Sequence, residues 1–348
     1  MKALFFIAVF AAIAIGFWQV AKIFGLTKKD QVATKKENNI NGWLMLGLLA
    51  FVHGLLLYCM IAYGDVLLPH LSASSEGEHI DTLFVVTFVL ILIVQLITQI
   101  LIFYFSFKYR GNIDRQATFY ADSHKLEMIW TSVPAVVLTA LVLYGIWTWN
   151  KVMDVSEQDN PLYIEVYAKQ FQWEARYAGA DNALGEANVR NIKGINTMGV
   201  DMNDKNATDD ITVRELHLPK GRKVVFQFRS QDVLHSAYMP HFRAQMNCVP
   251  GMKTHFGFTP SVTTEEMRKN EDIVAKVNGI NKIREAKSKE LVAAGEDALE
   301  PYEFDYLLLC NKICGSSHYN MQMKIIVEEE ADFNKWLKSQ KTLVQLIN

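Results

Sequence analysis

The most restrictive feature of this chain is a series of long apolar runs that almost fill its first 150 residues. Each run is close to the roughly 20 residues that a helix needs to cross the hydrocarbon core of a bilayer, and the runs cover residues 3–20, 43–63, 82–107 and 128–147. The first is short enough to be a signal peptide, but we expect a retained helix. The sequence therefore predicts an integral membrane protein with two to four transmembrane helices.

The charges between these runs predict the orientation of the helices. The first and third connecting loops are basic, with Lys28, Lys29, Lys35 and Lys36 in one and Lys108, Arg110, Arg115 and Lys125 in the other. The second loop carries only acidic charges, namely Asp65, Glu76, Glu78 and Asp81. Because basic loops stay in the cytoplasm, we expect both termini and everything after residue 150 on the periplasmic side of a bacterial inner membrane.

After residue 150 the pattern becomes that of a soluble β-rich domain. Short runs rich in β-branched and aromatic residues, separated by turn signals, predict an all-β sandwich or barrel. These runs cover residues 162–167, 224–228, 255–258 and 306–309.

Three segments depart from this strand pattern. Residues 178–210 are polar and predict a long loop. Residues 261–300 predict a charged helical insertion with Ser261 or Thr263 as its cap. The amphipathic run at 331–348 predicts a closing helix. The net charge of −2 gives no footprint for binding nucleic acid.

A metal constellation follows the last predicted strand. Cys310 and Cys314 lie four residues apart, His318 comes four residues later, and Met321 three residues after that. Soft sulfur and imidazole ligands select copper or zinc over hard cations. A single-copper blue site uses one cysteine and two histidines, so the extra cysteine is best explained by two coppers that both sulfurs bridge. His235, just after the run 224–228, is the best placed second histidine.

Two other interpretations of the cysteine pair remain open at this point. Cys310 and Cys314 could form a disulfide, because an outward-facing compartment permits it. They could also belong to a structural zinc site, although such sites usually have closer ligand pairs and no methionine. The added histidine and methionine favour copper.

Several ordered segments also resemble subunit II of haem–copper cytochrome c oxidases, whose binuclear copper centre is called CuA. The resemblance extends over residues 80–335, with insertions, and its segments are 126–135, 168–173, 215–219, 230–236, 249–251 and 310–321. It implies membrane helices followed by an all-β cupredoxin-like Greek-key barrel. Together with the apolar and helical runs described above, it divides the chain into extra N-terminal helices in 1–66, a transmembrane hairpin in 80–150, the CuA domain in 160–330 with its insertion near 261–300, and a C-terminal helix in 331–348.

The resemblance implies a role for each member of the metal constellation. The implied ligands are Cys310 and Cys314 as bridges, His235 and His318 as caps, and Met321 and the backbone carbonyl of Lys312 as the remaining ligands. The family usually has glutamate at the position of Lys312, and that glutamate contributes to a magnesium or manganese site shared with subunit I. The lysine leaves the main-chain ligand intact and puts the magnesium site in doubt.

The resemblance assigns further residues to the docking of an electron donor and to proton uptake. Phe171 occupies the position of the family's exposed tryptophan, and Trp173 matches the next aromatic residue. Asp232 is a candidate for an acidic patch that binds cytochrome c, or it could cap a turn. Glu127 matches a glutamate near the entrance of a proton channel, or it could be a helix N-terminal carboxylate that the helix dipole favours.

The implied function is electron transfer within an oxidoreductase and proton translocase. The CuA centre would accept electrons from cytochrome c and pass them to haem in subunit I, where oxygen is reduced to water with proton translocation. The implied partners are subunit I, other oxidase subunits, cytochrome c and the membrane. The chain lacks the Cys-x-x-Cys-His motif of a fused c-type haem, so we expect a separate donor.

Three rival functions are weighed against this one. A quinol oxidase subunit II shares the fold and lacks copper, which predicts missing ligands. Nitrous oxide reductase carries the same copper centre, and four apolar runs oppose it because that enzyme is normally soluble. A disulfide-stabilised, membrane-anchored assembly protein would need only the two cysteines.

Overall fold

The structure is a computed structural model that describes residues 2–26, 33–64, 71–154 and 160–347. The chain divides into two compact units, one formed by residues 1–66 and 88–129 and the other by residues 67–87 and 130–348. Lys28, Lys29 and Asp65, which contribute to the predicted orientation, lie outside the described residues.

Long apolar helices occupy the described part of the first 154 residues. They are α1 (Lys2–Leu26), α2 (Lys35–Tyr63), α3 (Ser75–Lys108) and α4 (His124–Met153). Helices α2, α3 and α4 are long and apolar enough to cross a membrane, whereas the apolar part of α1 is the shorter segment Phe6–Lys22. Many of their large apolar side chains are exposed, as expected of helices that are surrounded by lipid. The prediction of membrane-spanning helices is confirmed.

Polar contacts organise one end of the first unit. Thr34 and Glu37 form a capping box at the start of α2, which satisfies backbone N–H groups that the helix leaves free. Arg110, just after α3, donates to Asn39 of α2 at 2.7 Å. Its side chain lies so close to Gly42 that a Cβ atom there would be 2.7 Å from Arg110 Cδ. Glycine at position 42 therefore allows the arginine to cross α2.

In the described residues 160–347, here called the outer domain, ten strands make up two five-stranded sheets. In chain order the strands are β1 (Leu162–Lys169), β2 (Gln172–Tyr177), β3 (Ile211–Val213), β4 (Leu216–Pro219), β5 (Val224–Ser230), β6 (His235–Met239), β7 (Ala244–Cys248), β8 (Thr254–Phe258), β9 (Tyr306–Cys310) and β10 (Gln322–Glu328). The first sheet has the order β3-β2-β1-β5-β8 and the second β4-β10-β9-β6-β7. The four predicted strand runs are confirmed, and so is the predicted class of membrane helices followed by an all-β domain.

The core of this domain lies between the two sheets. The first sheet contributes alternate residues of β1 and β5 to this core, such as Ile164, Val166 and Phe226. The second sheet contributes Leu308 and Ile325. Burying one such side chain contributes about 1.5–3 kcal/mol. The β1–β5 pair and the β4–β10 pair are parallel, and the other pairs are antiparallel.

The segments that interrupt the strands have the predicted character. Residues 178–210 contain only short 3₁₀ turns and isolated bridges, which confirms the long loop. The insertion contains α5 (Thr264–Arg268) and α6 (Glu271–Ala293). Thr263, not Ser261, caps α5 through a capping box with Glu266. The C-terminal run forms two helices rather than one, α7 (Glu330–Ser339) and α8 (Leu343–Ile347), because Gln340 is extended.

A buried ionic network ties the long loop to the first sheet. Arg176 of β2 lies 2.7 Å from Glu165 and 2.6 Å from Asp210, and it donates to the carbonyl of Gly185 in the loop at 2.9 Å. Arg229 of β5 also pairs with Glu165. Two arginines and two carboxylates therefore balance in charge, which makes their burial tolerable.

Replacing the central arginine tests this network. Arg176→Ala would leave Glu165 and Asp210 buried with a missing partner, so we expect the free energy of unfolding of the outer domain to fall by about 3–5 kcal/mol. Thermal unfolding of the full chain in detergent, followed by circular dichroism, measures the change. Arg214→Ala is the matched control. The Arg214 side chain is 79% exposed, and its ion pair with Glu174 is long, at 4.0 Å. Equal shifts in Tm for the two variants would contradict the assignment.

Candidate metal centre

The metal constellation lies where β6 and β9 meet the loop between β9 and β10. Strand β9 ends at Cys310, and Met321 immediately precedes β10. The two ends of the loop are joined, because the amide of Cys310 donates to the carbonyl of Met321 at 3.1 Å. Strand β6 begins at His235 and pairs with β9, with Ala237 opposite Cys310. Regular strand pairing therefore brings His235 beside a loop about 75 residues further along the chain.

The six predicted donors converge in the described structure. Each thiol contacts the other thiol, one imidazole nitrogen and one weaker donor. Cys310 Sγ lies 3.8 Å from Cys314 Sγ, 3.8 Å from His235 Nδ1 and 3.3 Å from the carbonyl oxygen of Lys312. Cys314 Sγ lies 3.6 Å from His318 Nδ1 and 3.8 Å from Met321 Sδ. This arrangement suits two metal ions, with one imidazole on each side of a pair of sulfurs.

Burial and hydrogen bonding orient the first imidazole. His235 is 0% exposed, and its Nε2 lies 2.8 Å from Asp232 Oδ1. A neutral imidazole whose Nε2–H donates to a carboxylate presents Nδ1 as a free acceptor. That is the nitrogen nearest to Cys310 Sγ. Asp232 therefore selects the tautomer that can bind a metal.

Asp232 itself is held by the backbone. Its carboxylate accepts the amide of Gln170 at 2.7 Å and the amide of Val233 at 2.7 Å. Burial opposes its ionisation, but these hydrogen bonds and the contact with His235 lower the pKa of Asp232 below its ordinary value. These contacts support the interpretation that Asp232 caps a turn. Its role in docking an electron donor stays a prediction.

The two thiols are free and differ in environment. Cys314 is buried and Cys310 half-buried, and neither forms a disulfide. Burial, followed by the nearby Cys310 thiol, raises the pKa of Cys314 to about 11. In the absence of a metal this thiol stays protonated at neutral pH, so metal binding must displace its proton.

The donor set fits copper. Two sulfurs that can be shared, two imidazoles and a thioether are soft to borderline ligands, which Cu(I) and Cu(II) accept. Met321 is buried and belongs to the set by distance. A four-coordinate structural zinc site would leave that thioether without a role.

The remaining predicted residues lie in different environments. Trp173 is only 3% exposed, and its Nε1 donates to the carbonyl of Met321 at 3.4 Å. Its ring is thus beneath the metal constellation and not available to a donor at the surface. Phe171 is half-buried against the core. Glu127 lies in the first turn of α4, 3.6 Å from His124 Nδ1, and its part in proton uptake stays a prediction. Sequence reasoning missed Gln170, although it lies within the segment 168–173.

Comparisons with known proteins come from sequence and from structure. Residues 68–147 match the family model for the transmembrane domain of cytochrome c oxidase subunit II. The alternative cytochrome c oxidase subunit 2 of Bradyrhizobium diazoefficiens is 31% identical over 300 residues, which cover 84% of this chain and 93% of that protein. A probable quinol oxidase subunit 2 of Staphylococcus saprophyticus is 25% identical over 185 residues, which cover 52% of this chain and 42% of that protein.

The comparison with solved structures matches, among others, the periplasmic domain of subunit II of cytochrome oxidase (CoxB) of Bradyrhizobium japonicum. It is 17% identical, and the match covers 51% of this chain and 91% of that domain, with a TM-score of 0.29.

Metal uptake should depend on pH. Because the thiol of Cys314, whose pKa burial raises, must lose its proton to bind copper, we expect the apparent copper affinity of the metal-free chain to rise as pH increases from 6 to 8, with protons released on binding. Titration calorimetry in two buffers of different ionisation enthalpy counts the protons. Binding without proton release at pH 7 would contradict the raised pKa of Cys314.

Removing Asp232 tests its role in orienting His235. Asp232→Ala leaves the imidazole without its acceptor, and we expect about 10–100-fold weaker copper retention, the range typical of partners that orient a metal ligand. The rate of copper loss to a chelator measures the effect. Asp297→Ala is the control, because Asp297 is exposed. Equal rates for both variants and the native chain would rule out this role.

Proposed function

Because the chain belongs to the cytochrome c oxidase subunit 2 family, we propose that it is the electron-accepting subunit of a haem–copper oxidase. It would hold a two-copper CuA centre through Cys310, Cys314, His235, His318, Met321 and the carbonyl of Lys312. Support for the family comes from a relative that matches over most of both chains. Support for the centre comes from the donors of this chain itself.

The observation that carries the proposal is the pairing of donors around two adjacent sulfurs. Cys310 Sγ and Cys314 Sγ are 3.8 Å apart, and each faces the Nδ1 atom of a different histidine. When bound, such a copper pair supplies reversible one-electron storage. A quinol oxidase subunit without copper has no need for these thiols and imidazoles, so the complete donor set favours a cytochrome c oxidase.

The residues of the chain contribute rigidity and exclude water. His235, Cys314 and Met321 are buried, while Cys310 ends a strand that is paired on both sides. Ligands that neighbouring packing and hydrogen bonds hold in place move little when the charge of a centre changes. Little movement favours fast electron transfer over bond chemistry.

The proposed partners follow from this role. A separate cytochrome c would donate electrons on the periplasmic side of a bacterial inner membrane, and haem in subunit I would accept them for the reduction of oxygen and proton translocation. Phe171 and Asp232 are candidates for the donor surface, and Glu127 is a candidate for proton uptake. The Lys312 side chain is exposed, and its ammonium group would repel Mg²⁺, so we propose that this chain gives no carboxylate to a magnesium site at that position.

Spectroscopy of single-thiol variants tests the proposal. We expect the purified, copper-loaded full chain to give the electron paramagnetic resonance signal of one electron shared by two coppers. Cys310→Ser should abolish that signal, because a hydroxyl does not replace a bridging thiolate. Cys59→Ser should preserve it, because Cys59 is an exposed thiol on α2. Absence of a mixed-valence signal from the native chain would overturn the proposed function.

A further inference from the structure

The turn between β1 and β2 lies against the loop that carries Cys314. We propose that Gln170, in this turn, is a positioning residue that holds Cys314 through its side chain and His235 through Asp232. The inference rests on the proposed function, because it concerns how the centre is kept in place, and it concerns a residue outside the donor set.

The side chain of Gln170 supplies the first contact. Its Nε2 donates to the carbonyl oxygen of Cys314 at 2.5 Å. The other hydrogen bonds of the loop either join its own residues or lie at its ends, at Asn311 and Met321. Within the described part of the chain, the Gln170 bond is the one that reaches residues 312–317 from a distant segment. A single side-chain amide therefore supplies the hydrogen bond that ties the middle of the loop to a distant part of the chain.

The loop is shaped to receive this turn. Gly315 follows Cys314 and has a φ of +141°, a value that residues with a side chain rarely adopt. A Cβ atom at Gly315 would lie 2.8 Å from ring carbons of Phe171 and 2.9 Å from Gln170 Nε2. Glycine thus permits both the loop conformation and the close approach of the turn.

The backbone of Gln170 supplies the second contact. Its amide donates to Asp232 Oδ2 at 2.7 Å, and Asp232 Oδ1 lies 2.8 Å from His235 Nε2. One residue of the first sheet is thereby linked to a thiol on the β9–β10 loop and to an imidazole on β6. Cys314 and His235 are both buried, and Gln170, which is linked to both through these hydrogen bonds, is itself exposed.

The test compares Gln170, in the turn, with Gln172, at the start of β2, in the full chain. Gln170→Glu places a carboxylate oxygen against the Cys314 carbonyl, so it removes a donor and adds repulsion with almost no change in shape. We expect amide hydrogen exchange in residues 312–317 of the metal-free chain to become about tenfold faster. We also expect about tenfold faster copper loss and an altered hyperfine pattern in the paramagnetic signal. Gln170→Met, which removes the donor without adding charge, should change these properties in the same direction.

Gln172→Glu is the matched control, because this substitution adds the same charge two residues away. Gln172 is exposed at the start of β2. The control should leave exchange, copper loss and spectrum as in the native chain. If the native chain gives the two-copper signal and Gln170→Glu and Gln170→Met both behave like Gln172→Glu, the positioning role is overturned. If the native chain gives no such signal, it is the proposed function that fails, whereas faster loop exchange in Gln170→Glu would still support the contact itself.

Discussion

The antiparallel pairing of β6 with β9 is the constraint on which the candidate centre depends. It sets Ala237 opposite Cys310, so that His235 begins its strand beside a cysteine that ends another. A shift of one residue in this register would turn every side chain of β6 to the other face of the sheet. The imidazole would then leave the sulfurs, although the loop ligands would be unchanged.

Two further sets of interactions in the outer domain stabilise this pairing. A core of buried apolar residues holds the two sheets together, and the Arg176 network covers the outer face of the first sheet with the long polar loop. The first sheet in turn provides Gln170, Phe171 and Trp173, which lie against the metal loop. The centre is thus built mainly on the second sheet and held in place by the first.

Much of the candidate site could be predicted from local sequence. Cys310, Cys314, His318 and Met321 lie within twelve residues, so their spacing alone indicates that they can share a site. His235 could be proposed from its position just after a predicted strand, but only the family resemblance paired it with the loop, since nothing local connects the two. The environment of Trp173 was not predictable, because an aromatic residue in a strand can face the core or the solvent. The hydrogen bond of Gln170 to Cys314 joins residues 144 positions apart, and no local pattern indicates it.

The sequence by itself determined which part of the chain is suited to a lipid bilayer, which part is suited to water, and which types of metal ligand are present. Hydropathy is a sum over neighbouring residues, and metal preference follows from ligand type, so neither needs the fold. Only the tertiary structure decided which imidazole nitrogen faces each sulfur, which ligands are buried and which residue supports the loop. Those properties depend on strand register and on hydrogen bonds between distant segments, which exist only when both sheets are assembled.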